Sequence, residues 1–414
     1  MPERRAGLVR ATLTLLAGGV VAQALPLLLG PWLTRLYAPD EFGHYTLFVA
    51  ITANLATVAC ARYEYALPLA HDDAEARDLM ALCLRVLLGV TALSIVVAVS
   101  LGALGVLDQW VLLPWAVVAA GAAQWLTLWA TRSQRFSALS ASRITQYGGA
   151  ALVQVAGGIA KLGTTGLVLG PVIASAAALA WLRSPAPLGG WRGLWRVPKR
   201  AWRAAALRHR EFPLFNTPHA FLGALQDTLT VALLVAWTGD AAAGFWGLAL
   251  RYLKAPATLI GGAVSQALYP RLAHATPLQA RAAVRQVMGT LAALAVPLVL
   301  VLLLAGPDLF AFAFGERWRP AGELSRALAP YIGVHFVASP LAVATLAWHA
   351  QAWALRVAIA GQIMFLAALV VGLHFGGLTG GAWAVSAAMV CYFGWFFIEL
   401  PHRCPGADMQ ANHS

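Results

Sequence analysis

GFWGLALRYLKAPATLIGGAVSQALYPRLA, residues 244–273, is an apolar run long enough to cross a bilayer, and it carries two cations near its middle. Arg251 and Lys254 are three residues apart, which places them on one helix face. A cation at the bilayer centre costs about 3 kcal/mol on insertion scales, so such a pair belongs beside a hydrated cavity or an anionic partner. The run therefore reads as part of a membrane pathway for something negatively charged.

The rest of the 414-residue chain agrees. Hydrophobic residues make up 60% and charged residues only 11%, against about 25% charged in an ordinary soluble domain. Mean hydropathy is +0.70. A spanning helix needs about 20 mostly apolar residues, and twelve such spans are predicted. In the first half they lie at 11–34, 42–69, 79–104, 108–131, 143–160 and 164–183. In the second half they lie at 213–237, 242–272, 282–313, 319–347, 352–375 and 378–400.

Charge placement tests that count, because cytoplasmic loops are enriched in Lys and Arg. With both termini inside, 20 of the 29 basic residues fall on the cytoplasmic side and only Arg35, Lys161, Arg317 and Arg319 on the periplasmic side. Arg62, Arg85, Arg251, Lys254 and Arg326 lie within spans. The net charge of +12 is thus mostly topology, and nucleic-acid binding is not needed to explain it. Arg4, Arg5 and Arg10 resemble a signal-peptide n-region, and Ala22-Gln23-Ala24 a cleavage site. The apolar run nevertheless continues to Leu33, so a spanning helix is expected. Cys60, Cys83, Cys391 and Cys404 suggest no disulfide framework.

The expected organisation is an N-terminal lobe (1–183), a basic cytoplasmic linker (184–210) and a C-terminal lobe (211–414). In the linker, Trp191, Trp195 and Trp202 alternate with Arg192, Arg196, Arg200 and Arg203, a composition suited to anionic phospholipids at the inner leaflet. APDEFGHYTLFVAI (38–51) and TGDAAAGFWGLALRY (238–252) faintly repeat, each with an Asp, a Gly and an aromatic-rich helix start. Six spans separate Gly43 from Gly244, so their helices run in the same direction, as in a parallel duplication. The fold class expected is all-α and polytopic, with two six-helix lobes related by a pseudo-twofold axis around a central cavity.

Further polar residues are candidates for the pathway. Asp227 lies about midway along the seventh span, where it can pair with Arg251 or Lys254 or bind a coupling proton or sodium ion. Arg62 and Glu64 are two residues apart in ARYEYALPL and point to different faces; Arg62 is a cavity cation candidate, Arg85 a weaker one. FGERWRPAGE (314–323) gathers Glu316, Arg317, Trp318 and Arg319 at a membrane surface, as an exit mouth or as ordinary interfacial anchoring. Gly18, Gly19, Pro26, Gly30 and Pro31 crowd the first span and Pro256, Gly261 and Gly262 interrupt the eighth, suggesting kinked helices. His44, His71, His219, His335 and His349 show no metal-ligand spacing. No Walker loop, no G-x-S-x-G elbow and no large outer loop with acidic groups is present, so transport, not catalysis, is expected and no cofactor is implied.

LLLGPWLTRLYAPDEFGHYTLF, then ARYEYALPL before HDDAEARD, resembles the opening of the Wzx-type polysaccharide flippases, which translocate O-antigen and other lipid-linked oligosaccharides. So do REFPLFNTPHAFLGALQDTLTVALL, AAAGFWGLALRYLKAPATLIGGAVSQALYPRLA and FGERWRPAGELSRALAPYI, and the likeness covers roughly residues 15–341. The resemblance implies the scaffold of the multidrug/oligosaccharidyl-lipid/polysaccharide exporter superfamily, located in the bacterial inner membrane. It implies an undecaprenyl-diphosphate-linked glycan as cargo, other polysaccharide-assembly membrane proteins as partners, and Arg62, Arg251 and Lys254 as headgroup ligands. Asp227 departs from the family pattern. Rivals on the same scaffold are an ion-coupled multidrug exporter, which would want cavity carboxylates, and a peptidoglycan-precursor flippase.

Overall fold

The computed structural model describes residues 2–273, 275–348 and 350–403; Cys404 and His349 lie outside them. Among the described residues the chain is helical with no strand. It forms two compact units, Met1–Val231 and Ala232–Ser414. Among the described residues seven helical stretches are long and apolar enough, by length and composition, to cross a membrane.

The first unit contains α1 (Pro2–Leu36), α2 (Pro39–Thr57), α3 (Asp73–Ala103), α4 (Leu113–Arg132), α5 (Phe136–Arg143), α6 (Gly149–Ile159) and α7 (Thr164–Leu182). A single π-helical turn, Ile144–Gly148, joins α5 to α6, so the fifth span is continuous from 136 to 159. Then come α8 (Gly190–Gly193), α9 (Lys199–Arg208) and α10 (Thr217–Thr238), the last crossing the boundary between units. α4 packs on α2, α3 and α7. The second unit holds α11 (Asp240–Leu253), α12 (Ala255–Ala273), α13 (Pro277–Phe314), α14 (Arg319–Ala347) and α15 (Gln351–Glu399). α14 is its centre, packing on α11, α12, α13 and α15.

Local sequence explains where these helices begin. Asp72 caps α3 by accepting from the Glu75 N–H at 2.7 Å, and Asp73 and Glu75 add negative charge to its positive first turn. Thr276 and Gln279 form a capping box at α13, with Pro277 at the position where a missing N–H costs nothing. Gly43 and Gly244 are each the fifth residue of their helix and each is buried.

Two hairpins deepen that internal likeness. α6 and α7 turn through Gly163 (φ 58°, ψ −148°), and the two halves of α15 turn through Gly377 (φ 57°, ψ −151°). This backbone region is essentially closed to residues with a Cβ. Beside each turn two glycines let the helices touch. A Cβ on Gly157 would stand 2.8 Å from Gly166 Cα, and one on Gly372 would stand 2.5 Å from the Gly380 carbonyl oxygen.

Two span expectations and one helix-breaker expectation are corrected. The predicted span 42–69 is not one helix: α2 stops at Thr57, Ala61 and Arg62 take left-handed backbone (φ 48° and 61°), and a 3-10 helix covers Tyr63–Leu69. The predicted span 242–272 is also divided, between α11 and α12 at Lys254. Pro256 has no N–H to continue the ladder across this point. Gly261 and Gly262, by contrast, sit inside α12 without interrupting it.

The basic segment 184–210 is packed rather than loose. Leu194, Val197 and Ala205 are buried in a core with Leu79, Cys83 and Trp129, and Trp191 and Trp202 lie against it. Arg85, weighed as a cavity cation, instead donates to the carbonyls of Leu194 (3.2 Å), Trp195 (3.3 Å) and Val197 (3.4 Å) and lies 5.4 Å from the Trp202 ring centroid. Glu75 completes the clamp: it accepts from the His71 N–H at 2.8 Å and pairs with Arg208 at 2.8 Å and His209 at 3.1 Å.

Candidate functional site

The break between α11 and α12 sets the geometry of the two central cations. Arg251 occupies the last turn of α11, and Lys254 closes it, its N–H donating to the Leu250 carbonyl at 2.9 Å. Both remain one turn apart and half-buried, so the spacing seen in sequence survives the break. Around them the unit is aromatic. Tyr252 lies 4.7 Å from Phe314, ring to ring. On α14, His335 sits 5.7 Å from Tyr331 and 6.0 Å from Phe393. Aromatic faces are compatible with nearby cations.

In the first unit, Arg62 reaches outward from the left-handed turn. Its Nη1 donates to the Tyr65 hydroxyl at 2.7 Å, and its guanidinium lies 5.0 Å from that ring's centroid. Its Nε is buried without a partner among the described residues. Glu64 follows in the 3-10 helix. It is 2% exposed, its Oε1 accepts from Gln124 Nε2 at 2.9 Å, and its Oε2 has no described partner. Asp227 is exposed on α10, with no ion pair to a described cation of its own unit.

The turn before α14 is built as a small ion cluster. Arg319 pairs with Glu316 at 2.5 Å and Asp308 at 2.8 Å, while Arg317 is exposed beside it. Trp318 does not lie at an interface: it is fully buried, packed edge-on 5.8 Å from Phe245, so it pins the turn to α11. Among the described residues no group of three or more His, Cys, Asp or Glu side chains is placed to hold a metal.

The structure thus brings Arg251 and Lys254 together, and gives Arg62 and Glu64 different partners. Gln124, which holds Glu64, was missed in the sequence because it lies 60 residues away. The Glu75 clamp was also missed, although the acidic HDDAEARD helix start, 71–78, was visible.

Among curated proteins no relative matches the sequence. Among solved structures the chain is similar to an inward-facing multidrug resistance MATE family transporter of the MOP superfamily. The identity is 12%, 96% of this chain and 100% of that one are covered, and the TM-score is 0.74. It is also similar to the lipid II flippase MurJ in an inward closed conformation, at 9% identity, 95% and 90% coverage and TM-score 0.72. A MOP superfamily transporter from Pyrococcus furiosus follows, at 12% identity, 96% and 95% coverage and TM-score 0.59. These likenesses give the fold of a multi-pass membrane transporter. A family described as polysaccharide biosynthesis protein matches residues 32–323, which take in the left-handed turn at Arg62, the broken helix with Arg251 and Lys254, and the ion cluster at Arg319. With most of its length so matched, and on the MOP-superfamily fold expected of a Wzx-type flippase, the chain belongs to that polysaccharide biosynthesis family.

Proposed function

We propose that the protein flips an undecaprenyl-diphosphate-linked oligosaccharide from the cytoplasmic to the periplasmic leaflet of the inner membrane, for surface or exopolysaccharide synthesis. The observation that carries this reading is the pair Arg251 and Lys254, held one turn apart where a helix of a membrane transporter breaks. Two clustered cations in an apolar bundle call for an anionic cargo, and a diphosphate supplies the matching charge. The polysaccharide family match and the fold shared with a lipid II flippase support a lipid-linked glycan.

In this mechanism Arg251, Lys254 and Arg62 take the diphosphate in a hydrated cavity while the polyprenyl tail stays in lipid. Alternating access then exposes the glycan outside. The Lys254–Pro256 break is where such a motion costs least, because the backbone ladder is already interrupted there. Asp227, with Glu64 as a second carboxylate, couples the cycle to a proton or sodium gradient, and Arg317 and Arg319 line the periplasmic mouth. In this reading both termini face the cytoplasm, as the distribution of Lys and Arg suggests.

The test is a host strain that depends on this protein for polysaccharide export. Replacing both Arg251 and Lys254 by Ala should abolish export while the protein stays in the membrane, with the lipid-linked glycan accumulating inside. Normal export by that double variant would remove the charge-pairing mechanism. The accumulating lipid also separates this reading from its rivals. A peptidoglycan precursor would assign the chain to that pathway, and unchanged lipids with heightened drug sensitivity would assign it to multidrug export.

A further inference from the structure

One face of α13 reads Arg285, Gly289, Ala292, Val296, residues spaced three and four apart, and in the fold these line a single apolar groove of about 740 Å³. Gly333 of α14 and Phe397 of α15 form part of its opposite wall. Among the described residues Arg285 is the only charged side chain in the lining. It is exposed and forms no ion pair among the described residues.

Gly289 is the informative residue. Its backbone is helical, so no unusual dihedral requires glycine, and a Cβ added there would meet nothing within 4 Å. Neither backbone geometry nor a tight protein contact accounts for a residue that costs a helix interior about 1 kcal/mol relative to Ala. What its missing side chain does is keep the groove open one turn beyond the cation. Val296 and Leu300, farther along, are 55% and 50% exposed, so the groove is open along its length.

From Arg285 to Leu300 the groove follows α13 for about 22 Å, enough to take an acyl chain through the roughly 15 Å of one hydrocarbon leaflet. Arg271, Arg281 and Arg285 cluster at this end of the helix pair, which by the positive-inside rule faces the cytoplasm. The cytoplasmic leaflet is the one rich in anionic lipid, and basic pockets between membrane helices on that side bind anionic headgroups.

We infer that this groove is a binding site for an anionic phospholipid of the cytoplasmic leaflet, its headgroup phosphate on Arg285 and one acyl chain running past Gly289 and Ala292 toward Leu300. Neither of the proposed cargo ligands, Arg251 and Lys254, is among the residues that line the groove. An apolar slot headed by one guanidinium matches a phosphate on a hydrocarbon chain, and would not by itself recognise a sugar.

Purified full-length protein titrated with phosphatidylglycerol, with bound lipid counted by native mass spectrometry, tests this. Wild type should retain phosphatidylglycerol about tenfold more tightly than phosphatidylcholine, whose choline cation offsets its phosphate charge before Arg285; tenfold corresponds to about 1.4 kcal/mol. Arg285→Gln should remove that preference. Gly289→Trp, which fills the groove from a position with free space, should reduce retention of both lipids; thermal unfolding alongside confirms that each variant is folded. Unchanged phosphatidylglycerol retention in both folded variants would overturn the site. So would displacement of phosphatidylglycerol from wild type by equimolar undecaprenyl phosphate, which would give the groove to a polyprenyl chain instead.

Discussion

The two units share their tightest turns but not their charges. Gly163 and Gly377 hold nearly identical backbone angles at corresponding hairpins, and Gly43 and Gly244 open corresponding helices at the same step. Yet where the first unit's helix ends, one cation lies over Tyr65 and a buried carboxylate is held by Gln124. Where the second unit's helix breaks, two cations stand together in aromatic surroundings. The two units thus repeat backbone turns while the polar groups beside their helix ends differ, an asymmetry of charge on a shared backbone plan.

That asymmetry makes the sharpest prediction. Loss of both Arg251 and Lys254 forfeits two charge-assisted contacts of about 1.5–3 kcal/mol each, so export should fall by about 100-fold or more. Arg62→Ala alone should cost about tenfold, and an equal or larger loss at Arg62 in the same export assay would place the main contact in the first unit instead.

Shared backbone should respond alike. Gly163→Ala and Gly377→Ala each force a Cβ into a glycine-only region and should destabilise by about 1–3 kcal/mol, read as lowered thermal midpoints in detergent. A tolerated substitution at only one of them would break the structural equivalence.

The buried carboxylate of the first unit gives a smaller effect. Glu64→Ala leaves the Gln124 amide without its acceptor and should cost about 2 kcal/mol, while Glu64→Gln keeps an acceptor and should cost less. If Gln at this position keeps the fold yet blocks export, Glu64 carries a coupling charge and not merely a structural one.

Smallest is the backbone term at Arg62 itself. Its left-handed conformation costs a Cβ-bearing residue about 1–2 kcal/mol, so Arg62→Gly should be more stable than Arg62→Ala by about that amount. Equal stability of the two variants would show that the turn relaxes once the cation is gone.

Much of this was legible in the chain. The hairpin turns were visible because KLG at 161–163 and GG at 376–377 interrupt long apolar runs; the span ends at both turns were placed closely, although the fifth span starts earlier than expected, at Phe136. The cation pair was visible because hydrophobic surroundings make any charge conspicuous. The end of α2 was not: residues 53–67 contain neither Gly nor Pro, and left-handed turns at Ala61 and Arg62 have no local signature. Pro256 did announce a kink, but continuous hydropathy concealed that the helix parts there. The groove on α13 was hidden differently. Its spacing was readable, but Arg285 served only as a topology mark until folding set it at the head of an open slot.

The two glycine hairpins also bear on how the protein assembles. Closing a chain segment loses entropy that grows with the length of the loop, and contacts near in sequence form fastest. Gly163 and Gly377 join their helices through turns of only a few residues, and Gly157 with Gly166, and Gly372 with Gly380, let those helices meet close to the bend. Each unit thus contains, at its sixth crossing, a pair that can zip shut on its own, giving the nascent polypeptide a preformed surface onto which the earlier helices settle.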